Sequence, residues 1–194
     1  MFCKLKLPFV TPLYVTTNGM QTFTGVEGKG IEYKKIWSPD EKLLYSILPS
    51  RYHKDFHLTV MNINCDLLPH TDPDLISTLN FYIRTDNCKT IFYDELIEGP
   101  KKFHIGSTNI RTDSCKITEK LLENQKEGYI YNKSELIEVG SFIAKPNEIW
   151  LLDVKKIHSV EALGEFSLRT AVTLGTYKHN YENVYEMLKE TGAV

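Results

Sequence analysis

Three residues whose side chains are common metal ligands occur in two short segments of the chain. His70 and Asp72 form a His-x-Asp triplet within DLLPHTDPDLISTLNFYI, and His158 follows the apolar run IWLLDV. Two imidazole nitrogens and one carboxylate can occupy one face of an octahedral ion such as iron(II), which leaves three positions for other ligands. We therefore interpret His70, Asp72 and His158 as the metal-binding and catalytic residues of one site.

Arg169 follows the second histidine in FSLRTAVTL, a segment of alternating character. Such alternation is typical of a β-strand, and it puts Arg169, Ala171 and Thr173 on the same face. A guanidinium among small and polar residues is unusual for a core and suits a polar cavity. Because its planar fork matches a carboxylate, Arg169 is predicted to bind the far carboxylate of a cosubstrate that also binds the metal.

Three further polar residues are candidates for the same cavity. Strand alternation puts Asn80 on the face that Thr78 and Tyr82 share. Asn62, in VMNINC, could also contact the cosubstrate, although an amide that satisfies buried backbone groups explains it equally well. Thr173 is a candidate because it shares the face of Arg169. We predict Asn80, Asn62 and Thr173 as secondary binding residues.

The segments that carry these residues have the length and composition of short β-strands. They are rich in β-branched and aromatic residues and read HLTVMNINC, STLNFYIRT, CKTIFYDELIE, YIYNKSELIEVGSFIAKP, NEIWLLDV and FSLRTAVTLGTY. Helices are predicted from Ser38 to Leu48, around ITEKLLENQKEG and over NYENVYEMLKE. Many short strands with few helices favour a mainly β fold with flanking helices, either an antiparallel barrel or a double-sheet jelly roll.

The composition is that of an ordinary globular domain. The chain has 194 residues, 42% of them hydrophobic and 25% charged, which suffices for one well-filled core. We expect a single domain over residues 1–194. A net charge of -2 argues against a protein whose main task is to bind a nucleic-acid backbone.

Cysteine usage and hydropathy bear on the compartment. The four cysteines are widely spaced without a CxxC pair, which favours reduced thiols over a structural zinc site. No apolar run is long enough to span a bilayer, and the first residues lack the features of a secretory signal. We expect a soluble, cytoplasmic protein without a membrane partner.

The order of these motifs resembles the Fe(II)/2-oxoglutarate oxygenases. The His-x-Asp triplet, the strand STLNFYI, the Thr-x-Phe strand in KTIFYD, the distal His158 and the basic Arg169 are similar to the motifs of small prolyl 4-hydroxylase-like members, including phage-encoded ones. The similarity extends from His57 to Gly175. Family members often have Gly-Gly-Glu where this chain has Asn87-Cys88-Lys89. Collagen-type members have lysine where Arg169 stands, which argues against a collagen-like substrate.

The resemblance implies a double-stranded β-helix, the jelly-roll or cupin-like barrel, and a hydroxylase. Fe(II) would be bound by His70, Asp72 and His158, and 2-oxoglutarate would chelate the metal and reach Arg169. O2 would take the last metal position, with ascorbate as an accessory reductant. The products would be succinate, CO2 and a hydroxylated peptide side chain or small molecule. Asn80 stands where related oxygenases often have a tyrosine that touches the cosubstrate.

Two alternatives stay open at this point. A nucleobase-modifying oxygenase of the same chemistry would need a basic, aromatic-lined approach to the metal, which the composition does not favour. A non-catalytic jelly-roll module, structural or ligand-binding, would not need His70, Asp72, His158 and Arg169 together. In each case the loops around the barrel mouth would select the partner, and we place them in residues 20–37 and 99–134.

Overall fold

The computed structural model describes most of the chain. The described residues are 1–6, 21–26, 29–35, 44–63, 66–73, 75–85, 87–98, 100, 102–105, 128–164 and 168–194. Most of the predicted mouth loop at residues 99–134 therefore lies outside the described residues. So does most of the predicted helix around ITEKLLENQKEG, since the described chain resumes at Gly128 in a strand. Most of residues 20–37 is described and forms two paired strands, Gln21–Val26 and Lys29–Lys35, instead of a loop.

Strands dominate the described residues, as predicted. They are β1 (Phe2–Lys4), β2 (Gln21–Val26), β3 (Lys29–Lys35), β4 (Phe56–Ile63), β5 (Leu67–Thr71), β6 (Ser77–Arg84), β7 (Cys88–Glu95), β8 (Lys102–Ile105), β9 (Gly128–Tyr131), β10 (Leu136–Ile143), β11 (Ile149–Asp153), β12 (Ile157–Ala162) and β13 (Arg169–Thr176). Short 3-10 helices span Ser50–Asp55 and Lys133–Glu135, and an α-helix, α1, spans Tyr181–Thr191.

The strands form two antiparallel sheets. The seven-stranded sheet has the order β1-β11-β6-β13-β4-β3-β2, and the six-stranded sheet has the order β10-β7-β12-β5-β9-β8. Strands that are consecutive in the chain take corresponding positions in the two sheets: β11 and β10, β6 and β7, β13 and β12, β4 and β5. The chain therefore passes repeatedly from one sheet to the other.

An apolar cluster fills part of the space between the sheets. Its members come from both sheets and include Met61, Ile63, Tyr82, Phe92, Phe142, Val160 and Ala171. Alternate residues such as Met61 and Ile63 of β4 contribute to this cluster, because successive side chains of a strand point to opposite faces of its sheet. Burial of this apolar surface joins the sheets, and the space that the cluster leaves open is the cavity described below.

The outer face of the seven-stranded sheet is covered by α1. Val184, Met187 and Leu188 of this helix are buried in one cluster with Leu79 and Leu174 of the sheet. The helix begins at an Asn180 cap, whose side chain accepts a hydrogen bond from the Asn183 backbone N–H, and it ends at Gly192 in the left-handed conformation (φ 75°). The predicted C-terminal helix is thus confirmed.

The predicted helix from Ser38 to Leu48 lies largely outside the described residues. Its residues Leu44 and Tyr45 are helical, but residues 46–48 form a turn, so the helix ends before the predicted Leu48. Leu44, Ile47 and Leu48 are buried in the same cluster as α1. None of the helices in the described part of the chain has the length and hydropathy needed to cross a lipid bilayer.

Candidate metal centre

Adjacent strands β5 and β12 bring the two predicted histidine ligands together. His70 and His158 are register partners, and their ring centroids are 4.4 Å apart. Asp72 follows the end of β5, and its Oδ1 lies 3.5 Å from Nε2 of His70 and 3.8 Å from Nε2 of His158. One ligand atom from each residue lies within 4.8 Å of the others. The three side chains that the sequence singled out thus converge on one point.

Backbone carbonyls determine the orientation of both rings. The Nδ1 of His70 is 2.7 Å from the Leu68 carbonyl oxygen, and the Nδ1 of His158 is 2.9 Å from the Lys156 carbonyl oxygen. Because a carbonyl only accepts, each Nδ1 carries a proton, and a neutral ring then has a lone pair on Nε2. Two lone pairs and a carboxylate oxygen therefore face each other, an arrangement that could hold a cation. In histidines that bind a metal, the other ring nitrogen usually donates to an oxygen in this way.

The surroundings shift the pKa values of the three groups. Burial lowers the pKa of His158 to about 4, and the nearby charge of His70 acts in the same direction. Burial lowers the pKa of His70 too, but the hydrogen bond and charge of Asp72 outweigh it, and the net shift is upward. Burial would raise the pKa of Asp72, but His70, His158 and Lys155 outweigh it and lower that pKa. The raised pKa of His70 and the lowered pKa of Asp72 thus share one cause, the hydrogen bond and opposite charges of the two groups.

Arg169 is buried in the same cavity, with 2% of its surface exposed. Its Nη2 donates to the hydroxyl oxygens of Tyr82, at 2.6 Å, and Thr90, at 2.8 Å. The guanidinium also stacks over the Tyr82 ring, 4.6 Å from its centroid. Its Nε and Nη1 have no hydrogen-bond partner among the described residues. A buried cation with unused donors fits an anionic ligand, because burial without a partner is costly.

The cavity connects the metal-ligand candidates with Arg169. Its volume is about 480 Å³, which includes space open to solvent. Apolar side chains, among them Met61, Leu75, Leu152 and Val160, form much of its lining. An apolar pocket with a few convergent polar and charged groups is the usual form of a small-molecule site.

Asn80 and Thr173 line the cavity, as predicted, and belong to a polar network. The Thr173 hydroxyl donates to Oδ1 of Asn80 at 3.0 Å, and Nδ2 of Asn80 donates to the Tyr82 hydroxyl at 3.4 Å. Because the Tyr82 oxygen accepts from both Asn80 and Arg169, its own proton is available to a ligand. The Thr78 Oγ1, on the same strand face, is buried without a hydrogen-bond partner among the described residues.

Asn62 does not line the cavity, and this prediction was wrong. Met61 and Ile63 line it instead, so the alternation along β4 turns Asn62 to the opposite face of the sheet. There its Oδ1 accepts a 2.8 Å hydrogen bond from the hydroxyl of Thr170, its register partner on β13. Asn62 is thus a structural amide that pairs two strands.

Sequence reasoning missed the partners of Arg169 and Asp72. Strand alternation placed Tyr82 on the face of Asn80 and could have placed Thr90 on an inward face. Their contact with Arg169, however, depends on pairing between distant strands. Lys155 donates from Nζ to the backbone carbonyls of Asp72, at 2.6 Å, and Pro73, at 3.0 Å. No pattern in LDVKKIH distinguishes this lysine from its exposed neighbour Lys156.

Comparison with known proteins adds little to this geometry. No family model matches the chain. No protein of curated function matches it either. The X-ray structure of E. coli ycfD aligns with a TM-score of 0.39 and 10% sequence identity over 87% of this chain and 39% of that chain. This chain therefore spans about two fifths of the length of that protein. A likeness at this level carries no argument about fold or activity.

Proposed function

We propose that the protein is an Fe(II)- and 2-oxoglutarate-dependent oxygenase that hydroxylates a peptide side chain or a small molecule and releases succinate and CO2. The observation that carries this proposal is one cavity containing both the His70, Asp72 and His158 group and the buried Arg169 with unused donors. The three ligands alone would suit several metal ions. A buried cation beside them calls for an anionic co-ligand, and 2-oxoglutarate has one end for the metal and a carboxylate for the arginine.

We infer a double-stranded β-helix for the strands that form the cavity. The supporting observation is that β4–β7 and β10–β13 occupy corresponding positions in the two sheets, as in an antiparallel ribbon wound into a barrel. In such a barrel alternate side chains point inward, which accounts for a polar cavity between the sheets. The ligand-bearing strands β5 and β12 are adjacent in it.

The donor set fits Fe(II). Two imidazole Nε2 atoms and one carboxylate oxygen form the facial set that non-haem Fe(II) oxygenases use. The carbonyls of Leu68 and Lys156 keep the two rings in the orientation and tautomer that coordination needs. When bound, Fe(II) and 2-oxoglutarate would supply the activation of O2 and the oxidising equivalents for hydroxylation.

Arg169 and its neighbours would orient the cosubstrate. The Nη1 of Arg169, which has no partner among the described residues, would donate a charge-assisted hydrogen bond to the distal carboxylate of 2-oxoglutarate. The Tyr82 hydroxyl would add a second donor. The apolar lining, including Met61 and Leu152, would limit the water that reaches the metal.

An anaerobic titration of metal-free protein with Fe(II) and 2-oxoglutarate tests the proposal. The wild type is expected to give the visible charge-transfer band of the metal chelate. His158→Ala should lose the band, since it removes a ligand. The matched control, His57→Ala, should keep it, because His57 is an exposed histidine outside the cavity.

Absence of the band in folded wild-type protein would overturn the proposal and favour a non-catalytic module. If the band is present, succinate release can be screened with peptides, small molecules and nucleobase-containing oligonucleotides. Succinate release with oligonucleotides alone would favour the nucleobase-modifying alternative.

A further inference from the structure

The turn between β11 and β12, residues 154–156, contacts the segment that carries Asp72. The Val154 carbonyl accepts a 3.0 Å hydrogen bond from the Asp72 backbone N–H. The Lys155 Nζ donates to the carbonyls of Asp72 and Pro73, at 2.6 and 3.0 Å. Three backbone groups of a two-residue segment are thus bound to one turn.

The same turn also orients a second ligand. The Lys156 carbonyl is 2.9 Å from Nδ1 of His158, which lies just inside β12. Residues 154–156 therefore contact the main chain at one predicted metal ligand and the imidazole of another. A displacement of this turn relative to Asp72 would separate ligand atoms that now converge.

Asp72 needs such support more than the histidines do. Strand β5 ends at Thr71, so Asp72 lies outside the hydrogen-bonded ladder that positions His70. Pro73 follows and has no N–H to donate. The Lys155 ammonium is charged and half-buried, and hydrogen bonds from a charged donor are about twice as strong as neutral ones.

Strand β9 contacts the same segment. The backbone N–H of Tyr129 donates to the Thr71 hydroxyl at 3.0 Å. A Cβ on Gly128 would lie 2.6 Å from the Pro73 nitrogen and 2.7 Å from the Thr71 carbonyl oxygen, so the backbones are in close contact there. The ligand segment is thus packed against β9 and joined to the β11–β12 turn by Lys155.

We propose that Lys155 is a positioning residue of the metal centre. Its ammonium fixes the carbonyls of Asp72 and Pro73, and thereby directs the Asp72 carboxylate at the two Nε2 atoms. This inference rests on the proposed function, because it concerns the affinity of the same site for Fe(II). Lys155 acts through Asp72 and takes no part in the reaction itself.

Lys155→Met, which removes the ammonium and keeps an apolar stem, tests this role. The matched control is Lys156→Met in the same turn. This substitution keeps the backbone carbonyl that orients His158 and removes only an exposed ammonium, whose Nζ lies 3.9 Å from an Asp94 carboxylate oxygen. Fe(II) affinity is measured anaerobically from the chelate band at saturating 2-oxoglutarate. We expect the Kd for Fe(II) to rise about 10-fold or more in Lys155→Met, as for other residues that orient a ligand. In Lys156→Met it should change less than about 2-fold.

Two further measurements separate positioning from general stability. At saturating Fe(II), the affinity of Lys155→Met for 2-oxoglutarate should stay near that of the wild type, because Arg169 and its partners are unchanged. In metal-free protein, the Asp72 amide should exchange its hydrogen faster in Lys155→Met than in the wild type or Lys156→Met. Lys155→Arg should restore Fe(II) affinity, because a guanidinium can also donate to two carbonyls.

The outcomes distinguish this inference from the proposed function. Equal Fe(II) affinity in the wild type and folded Lys155→Met overturns the inference alone, whereas no Fe(II) binding by the wild type overturns both. If Lys155→Met does not fold, the Fe(II) affinities of Lys155→Arg and Lys155→Gln are compared instead. The arginine variant must bind Fe(II) more tightly than the glutamine variant, and equal affinities overturn the inference.

Discussion

The two sheets orient their functional side chains in different ways. In the six-stranded sheet, His70 and His158 are oriented by backbone carbonyls, and Asp72 follows directly after β5. In the seven-stranded sheet, Arg169 is oriented by the Tyr82 hydroxyl, and by Thr90 from the opposite sheet. The metal-ligand group therefore depends mainly on the path of the main chain, whereas the arginine depends on other side chains. Substitutions should separate the two groups.

The largest effect is expected from Arg169→Met. Loss of the charged donors should weaken 2-oxoglutarate binding by about 10- to 150-fold, which corresponds to the roughly 1.5–3 kcal/mol of hydrogen bonds to a charged group. Fe(II) affinity without 2-oxoglutarate should be almost unchanged. The affinity of Arg169→Lys for 2-oxoglutarate should lie between those of the wild type and Arg169→Met, because an ammonium is charged but lacks the planar fork. Calorimetric titration measures both affinities, and a parallel loss of Fe(II) affinity would contradict the separation of the two groups.

Gly128→Ala tests the dependence of the metal-ligand group on the main chain. Because the new Cβ would meet backbone atoms of Pro73 and Thr71 at 2.6–2.7 Å, the ligand segment must shift. We expect a loss of about 1–3 kcal/mol in the free energy of unfolding, typical of overpacking, together with weaker Fe(II) binding.

Gly140→Ala is the matched control for this glycine. Its Cβ would lie 3.2 Å from a ring carbon of Phe2, a side chain that can move slightly. Chemical denaturation and Fe(II) titration of both variants make the comparison. If Gly128→Ala were as stable as Gly140→Ala and bound Fe(II) like the wild type, the main chain near Pro73 would not control the site.

The contact between His70 and Asp72 should also make stability depend on pH in opposite senses with and without metal, at pH values above the ordinary histidine pKa. The raised pKa of His70, despite the lowering by burial, comes from Asp72. In metal-free protein this contribution to stability is complete below the ordinary pKa of 6.5 and is lost as the pH rises through the folded-state pKa. Fe(II) competes with the proton for Nε2 of His70. The affinity for Fe(II) should therefore fall by about tenfold per pH unit below the folded-state pKa of His70.

The lowered pKa of His158 affects stability at lower pH. Because the pKa of His158 is 6.5 in the unfolded chain and about 4 in the folded protein, the unfolded chain binds a proton at a higher pH than the folded protein does. Metal-free protein therefore loses stability as the pH falls from 6.5 to about 4. Anaerobic thermal unfolding with and without Fe(II), across the ordinary histidine pKa, measures both effects. The same pH dependence in the two samples would show that no metal competes for these protons.

The smallest effect is expected from Tyr82→Phe. The ring that stacks on Arg169 stays, and only the hydroxyl is lost. We expect the affinity for 2-oxoglutarate to fall about 5-fold, the equivalent of one hydrogen bond of about 1 kcal/mol. Tyr93→Phe is the control, because the Tyr93 hydroxyl is bound to Ser159 and Glu161, which do not line the cavity. Equal effects of the two substitutions would argue against contact between Tyr82 and the cosubstrate.

Strand alternation explains where sequence reasoning succeeded and where it was wrong. Asn80 and Thr173 were expected on the inner faces of their strands, and both line the cavity. Asn62 was assigned to the wrong face of β4. The period of a strand is two residues, so a shift of one residue reverses every side chain, and VMNINC has no residue that marks the inner face.

The sequence by itself determined the mainly β fold, the C-terminal helix and the four residues around which the cavity is built. These follow from local properties: residue chemistry, strand periodicity and helix capping. Only the tertiary structure decided that Asp72 meets both Nε2 atoms, that Tyr82 and Thr90 bind Arg169, and that Lys155 rather than Lys156 contacts the ligand segment. Apart from the contact between His70 and Asp72, each of these contacts joins distant parts of the chain. They depend on sheet register and on pairing across the two sheets, which no local pattern encodes.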